Sequence, residues 1–435
     1  MWEDLETLND HAQTVLPSLV ARALSAPASF DLSQVVIKGF ASGGFNILYL
    51  LEGYPNAPSG VIVRIPIPSE YVPTVTSLRL QSEISTMIFV REKLNLPVPR
   101  IYGWGLGDDD SNPLKAPYLI MEKADGMTVG SVWWEWEGKD RRGLNETEKM
   151  KVLGNLAKLY GALTAHLPDF YTKIGSIVLK DMKRIEEQFD FKRLRKEGLN
   201  QFAEFEIGPL VPKLSKRDLD DFYTTVPPPV TEAFSLLEDS WSSHLNSEFH
   251  LCRTRWAESP DPTIHTSGAR PYTISDFMNS YLNLSSLLTS TAKQLLSLPS
   301  DASQLTLRHE DFTFYNVLIS PETLEVTSLL DFDGSAIVPL HLAARYPSDL
   351  RPAGGRWRHW TEDTVSLSSP VEAMSPVEKQ MLPSMLSDIK DTWLSVYFQA
   401  QLARYDPRFG AWLWRNPTVE LAVKLEQVIF GGWFT

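Results

Sequence analysis

Two short apolar runs, NVLI at 316–319 and VTSLL at 326–330, are separated by SPETLE. No other feature constrains the fold of this 435-residue chain as much. Both runs are β-rich and the polar, Pro-containing link is a turn signal, so they pair as an antiparallel hairpin. A hairpin returns the chain to the end it left, which sets Asp331 beside Asn316, since neighbouring strands lie about 4.8 Å apart. Asp311 sits five positions before Asn316, on the loop that enters the hairpin. Two carboxylates and a carboxamide therefore converge on one edge.

That set suits phosphoryl transfer. The reaction needs a carboxylate that orients an attacking hydroxyl and accepts its proton, and hard oxygen ligands for the Mg2+ that accompanies a triphosphate. Asp311 fits the first role, Asn316 and Asp331 the second. The order His309-x-Asp311-x4-Asn316, then an Asp after a hairpin, is also the layout of a kinase catalytic loop. The plainer alternative is a helix-capping Asp with solvated neighbours. What lies upstream decides between them.

Upstream, SQVVIKGFASGGFNILYLLEG at 33–53 reads as two β-runs around a turn at Ser42, Gly43 and Gly44. Without a Cβ, such a turn lets backbone N–H groups approach phosphates. SGVIVRIPIP at 59–68 is a further strand ended by prolines. In it Arg64 is flanked by apolar residues, and a buried cation needs a partner. Glu83, on a helix expected over 76–94, is the natural one. VPRIYGWG and PYLIME form a second hairpin ending near Met121. Residues 33–122 are thus expected to form a small antiparallel sheet with one helix, after a helical extension over 1–32. From 123 to 435 the pattern becomes mainly helical, with a Pro-punctuated, charged insertion at about 181–275 read as helices and loops. The fold class is α+β.

Composition adds exclusions. A formal charge of −13 argues against nucleic acid or an anionic membrane as partner. The acidic start MWEDLETLND lacks the basic and apolar regions of a signal peptide, and the lone Cys252 forms no intrachain disulfide, so a cytosolic (cytoplasmic) protein is the expectation. GDDDSN at 107–112 has Pro113 where a calcium loop needs Gly, and His244, His250 and Cys252 lack zinc spacing. WWEWE at 133–137 is read as core or interface Trp before it is read as an amine cage.

HEDFTFYN, LLDFDGS, the Ser/Gly turn and LNLPVPRIYGWG together resemble the aminoglycoside phosphotransferase and choline kinase-like family, as do FYTKIGSI and IVPLHLAARYP for its fungal members. The resemblance runs from about residue 35 to 350. It implies a two-lobed protein-kinase-like fold, with a small antiparallel β-rich N-lobe and a larger, mainly helical C-lobe binding ATP and magnesium (Mg2+) between them. Asp311 would then be the catalytic base, and Asn316 and Asp331 the metal ligands. Arg64 would touch the α- and β-phosphates and pair with Glu83, while His309 braces the loop. The Glu122 carbonyl and the Ala124 N–H would meet adenine. Two departures stand out: Arg64 occupies a position that more usually holds Lys, and Asp331-Phe332-Asp333 stands where a protein kinase has Asp-Phe-Gly. With no Ala-Pro-Glu motif following, a small-molecule hydroxyl, amine-bearing given the acidic balance, is the expected acceptor rather than a protein. A catalytically silent nucleotide-binding or scaffold protein of the same fold is the alternative.

Overall fold

In the strand Asn46–Glu52 (β2), half-buried and buried residues alternate, and Ile47, Tyr49 and Leu51 all point to one face. Val61, Val63 and Ile65 of Val61–Pro66 (β3) join them there, because strand side chains alternate with a period of two. The N-terminal helix Leu5–Ala23 (α1) covers this face with Leu8, Ala12, Leu16, Leu19 and Val20, a stripe at helical spacing. Each Leu or Val so buried contributes roughly 1.5–3 kcal/mol. Tyr49 and Tyr54 tie the layers at their rims, their hydroxyls donating to Asn9 Oδ1 at 3.0 Å and to the Pro17 carbonyl at 2.9 Å.

The computed structural model describes residues 5–42, 46–67, 73–106, 112–133, 143–180, 204–211, 232–258, 263–264, 272–350, 375–410, 413 and 416–431. With Val36–Ser42 (β1), Ile101–Gly105 (β4) and Tyr118–Glu122 (β5), the sheet has five strands in the order β1-β2-β3-β5-β4, antiparallel throughout. The same alternation sends Arg64 to the face opposite Val63 and Ile65. There lies the helix Pro73–Glu92 (α2), whose Leu80, Ile84, Met87 and Ile88 pack with Ile101 and Leu119.

After β5 the chain crosses to the larger lobe through Lys123–Gly126. Met127–Thr128 (β6) then adds a third strand to the hairpin formed by Val317–Ile319 (β12) and Val326–Leu329 (β13). The crossing is tight. Gly126 has φ +122°, and a Cβ there would sit 2.6 Å from Thr327 Oγ1 and 2.7 Å from the Ile319 carbonyl oxygen. The short helix Val129–Trp133 (α3) follows, then Glu146–Leu163 (α4), opened by a capping box between Asn145 and Glu148. Helix α4 and the long helix Pro376–Tyr405 enclose the main core, while the helices Leu237–Glu258, Ile274–Leu295 and Pro417–Gly431 form a second one around Trp241, Leu288 and Ala422. Inter-lobe hydrogen bonds run from the Leu329 N–H to the Pro97 carbonyl at 2.8 Å and from the Leu179 N–H to Ser85 Oγ at 3.0 Å.

This is the two-lobed, kinase-like α+β architecture expected. The 181–275 insertion differs from its helices-and-loops reading. Its described part holds the helix Leu237–Glu258, but also Phe205–Gly208 (β8), paired with Ser176–Leu179 (β7), and a two-residue ladder between Thr263–Ile264 (β9) and Tyr272–Thr273 (β10). Strand β8 borrows its partner from outside the insertion, so local pattern alone does not announce it.

Candidate active site

Between Leu305–Arg308 (β11) and β12 the chain makes a loop anchored by its aromatic residues. Phe312 packs on Tyr160 with centroids 4.8 Å apart, and Phe314 packs on Trp133 at 4.4 Å. Both rings are buried, so the polar residues between and beside them are held at the loop's surface. The Phe314 N–H donates to Asp349 Oδ2 at 2.7 Å, which fixes the turn Phe314–Asn316 from the far side. Within the loop, Asn316 Nδ2 donates to the Asp311 carbonyl at 2.8 Å and to its carboxylate Oδ2 at 3.2 Å. The carboxamide therefore points its nitrogen at Asp311 and keeps Oδ1 as its acceptor face.

The hairpin closes the constellation. The Leu330 N–H donates to the Asn316 carbonyl at 2.8 Å, so Asp331 begins where Asn316 ends. The Leu330 carbonyl accepts from His309 Nε2 at 2.9 Å, which requires the proton on that nitrogen. His309 is 2% exposed and packs on Phe332 at 4.8 Å. Asp331 itself has φ +59°, in the left-handed region that Asp tolerates better than most residues but still at a cost. The structure thus brings Asp311, Asn316 and Asp331 onto one edge.

Arg64 reaches this edge from the smaller lobe. Its guanidinium bonds Glu83 and lies 3.9 Å from Asp331 Oδ1. Arg64 and Glu83 are 7% and 3% exposed. Burial pushes the Glu83 carboxyl up, to about 7, against the opposing pull of Arg64. Burial also opposes the charge on Arg64, but Glu83, Asp331 and Asp333 outweigh it and hold the guanidinium above its ordinary value. The pair spans strand β3 and helix α2 as the buried cation in VIVRIP required. One turn earlier on α2, Arg79 grips Asp333 with two bonds, Nε donating to Oδ1 at 3.2 Å and Nη2 to Oδ2. An open recess lined by Arg64, Arg79, Glu83 and Asp333 lies between the two ion pairs.

Glu310, beside Asp311, belongs to another network. Arg308 contacts it at 2.8 Å and Arg345 at 3.3 Å, and both arginines also bond Glu426 of the helix Pro417–Gly431. Sequence reasoning missed Arg79, Arg345, Asp349 and Glu426. The one local signal was the spacing of Arg79 and Glu83, four apart and hence on one face of α2.

The remaining sequence candidates are placed as follows. Ser42 ends β1, paired with Ile47, while Gly43 and Gly44 lie outside the described residues. Glu122 pairs with Val61 in the sheet, and its carboxylate accepts the Arg100 N–H at 2.9 Å, so this side chain serves β5 rather than the cleft. Ala124 lies half-buried in the crossing segment after β5. Of the Trp-rich stretch, Trp133 is core, with Lys149 Nζ 5.0 Å from its ring, and 134–137 lie outside the described residues.

Whether Mg2+ fits is a question of donors. Among the described residues no three His, Cys, Asp or Glu side chains form a metal-holding group. Asp331 and Asn316 offer two hard oxygens on one edge, which is the partial protein set that suits an ion completed by phosphate oxygens and water. Asp333 adds no third, since both its oxygens are taken by Arg79.

No family model matches the chain. A subtelomeric hrmA-associated cluster protein of Aspergillus fumigatus is 26% identical over 340 residues, covering 72% of this chain and 60% of the relative. Altered inheritance of mitochondria protein 9, mitochondrial, of Kluyveromyces lactis is 25% identical over 300 residues, covering 65% of this chain and 45% of that protein. The chain thus spans about half of the length of the curated relatives it matches. Similar solved structures include an ethanolamine kinase of Plasmodium vivax, with 11% identity, TM-score 0.42 and 98% of this chain and 91% of that one covered. Another is an aminoglycoside phosphotransferase APH(4)-Ia variant in ternary complex with AMP-PNP and hygromycin B, with 12% identity, TM-score 0.37 and 90% and 96% covered. These are proteins of the group that the sequence motifs resemble. The cytosolic expectation is corrected: several relatives are named as mitochondrial proteins.

Proposed function

We propose that this protein transfers the γ-phosphoryl group of ATP to a hydroxyl of a small molecule, with an amine-bearing alcohol as the favoured acceptor class. The observation that carries the reading is the convergence of Asp311, Asn316 and Asp331 at one edge, with Arg64 arriving from the facing lobe. Asp311 orients the acceptor hydroxyl and takes its proton as the oxygen attacks phosphorus, and ADP leaves. Asn316 holds the Asp311 carboxylate through Nδ2, which restricts the base to one orientation. Arg64, kept charged by Glu83, faces the α- and β-phosphates, while Asn316 Oδ1 and Asp331 would hold Mg2+. When bound, Mg2+ neutralises charge on the β- and γ-phosphates. The Ser42–Gly44 turn would cover the phosphates, and the Glu122 carbonyl and Ala124 N–H would meet adenine. For this chain the reading also adopts the mitochondrial location in its relatives' name, which subcellular fractionation checks.

The test is phosphate transfer from labelled ATP to a panel of amino alcohols and aminosugars by wild type and Asp311→Asn. Loss of the base lowers the rate by about 10²–10⁴-fold. An Asp311→Asn protein as active as wild type overturns the reading. One observation favours the alternative, a catalytically silent nucleotide-binding protein. The Arg64 guanidinium already faces Asp331, on a carboxylate that a metal would share. That alternative predicts a thermal shift with Mg2+-ATP but no transfer to any acceptor.

A further inference from the structure

Arg79 and Asp333 take no part in the chemistry just proposed, yet they join the two elements on which it depends. A spacing of four puts Arg79 and Glu83 on the same face of α2, one turn apart. A spacing of two puts Asp331 and Asp333 on the same short turn after β13. The two pairs therefore run side by side between the lobes: Glu83 to Arg64 and on to Asp331, and Arg79 to Asp333. Both members of the second pair are largely buried, with side chains 13% and 10% exposed.

The turn needs restraint. Within four residues it carries two left-handed conformations, Asp331 at φ +59° and Gly334 at φ +73°. Such a segment persists only where its surroundings over-determine it. His309 holds its start through the Leu330 carbonyl, and Phe332 is buried in the core. Its far side is held by the planar Arg79 fork, which fixes angle as well as distance in a way a point charge does not.

We propose that Arg79–Asp333 is an inter-lobe latch, and that Arg79 is a positioning residue for the metal-side carboxylate. The latch sets the rotation of α2 that aims Glu83 at Arg64, and at the same time it fixes the turn that presents Asp331. Because both charges are encoded in the chain, the two lobes meet in register without a phosphorylated loop. The inference rests on the phosphotransferase reading.

The experiment compares ATP binding with Mg2+ and with EDTA, by calorimetry, for wild type, Arg79→Met, Arg79→Lys and Asp333→Asn. Hydrogen exchange of α2 and the 330–335 turn is followed on the same proteins. Arg79→Met is expected to weaken Mg2+-ATP binding by about 10–100-fold, the range typical of lost outer partners of a metal site. ATP in EDTA is expected to lose less, since the displaced group is a metal ligand. Arg79→Lys, with the charge but not the fork, falls between, and exchange quickens in both α2 and the turn. If Arg79→Met does not fold, the near-isosteric Asp333→Asn carries the same comparison. Folded variants that bind Mg2+-ATP like wild type overturn the latch, as does an equal loss with and without metal that Lys does not relieve. Wild-type protein that binds no Mg2+-ATP overturns the phosphotransferase reading and, with it, the latch's role.

Discussion

Glu426 lies on the last described helix, yet its removal should be felt at the loop that carries Asp311. Its Oε2 serves Arg308 and Arg345 together, and the same two arginines hold Glu310, the neighbour of Asp311. The four formal charges sum to zero. Glu426→Gln keeps the shape but leaves one uncompensated positive charge between Arg308 and Arg345. The Arg308 and Glu426 side chains are 5% and 4% exposed, so water is a poor substitute there. Breaking a buried pair by removing one partner costs about 3–5 kcal/mol. The lower end is expected, because Glu310 and Arg345 are 27% and 19% exposed and can turn toward solvent. Urea unfolding of wild type and Glu426→Gln measures the difference. Replacing all four residues with apolar ones of similar volume should be far milder than the single change, within about 1–2 kcal/mol of wild type or above it. A Glu426→Gln protein within about 0.5 kcal/mol of wild type, the range of an ordinary surface substitution, refutes the reasoning.

Two further outcomes are expected. His341 is buried, donates Nδ1–H to the Ala302 carbonyl at 2.9 Å, and is pushed by burial down to about 4. The native state thus binds fewer protons than the unfolded chain between about pH 4 and 6.5, so stability is level above that window and falls on acidification through it. The contribution at stake is roughly 3 kcal/mol; denaturation at pH 7 and pH 4.5 should show a smaller difference in His341→Gln than in wild type. Gly126→Ala puts a methyl 2.6 Å from Thr327 Oγ1 at φ +122°. It should cost at least about 1–3 kcal/mol by denaturant titration, and an unchanged midpoint would show that the crossing segment relaxes freely.

What the sequence disclosed about this molecule was whatever local physics decides. The hairpin over 317–329 follows from two β-runs and a turn, and once it forms, Asp331 has nowhere to be but beside Asn316. The Arg64–Glu83 pair followed from the cost of a buried cation and an acid on the helix that comes next in the chain. The helix expected over 76–94 is Pro73–Glu92, and the hairpin ending near Met121 is β4–β5. What escaped depends on sequence-distant partners. Arg79 and Asp333 are 254 positions apart, and Arg308 and Glu426 are 118 apart, so no local pattern pairs them. Strand β8 escaped for the same reason, having its partner in β7 across the insertion.

The departures from the usual kinase pattern make sense together. A Lys at position 64 would serve one carboxylate at a time with a compact charge, whereas the Arg64 fork bonds Glu83 and still faces Asp331. An Asp at position 333 where Gly is usual would leave a second buried acid beside Asp331, and like charges so close disfavour one another. Arg79 removes that conflict by taking up Asp333. With Glu83 matched to Arg64 and Asp333 to Arg79, two further carboxylates lie at the lobe boundary: Asp331, 3.9 Å from the Arg64 guanidinium, and Asp311, which accepts from Asn316 Nδ2. On the phosphotransferase reading, Asp331 would be the proposed metal ligand and Asp311 the proposed base. The unusual Arg and the unusual second Asp are on this account one compensated change, made possible by the residue one helical turn before Glu83.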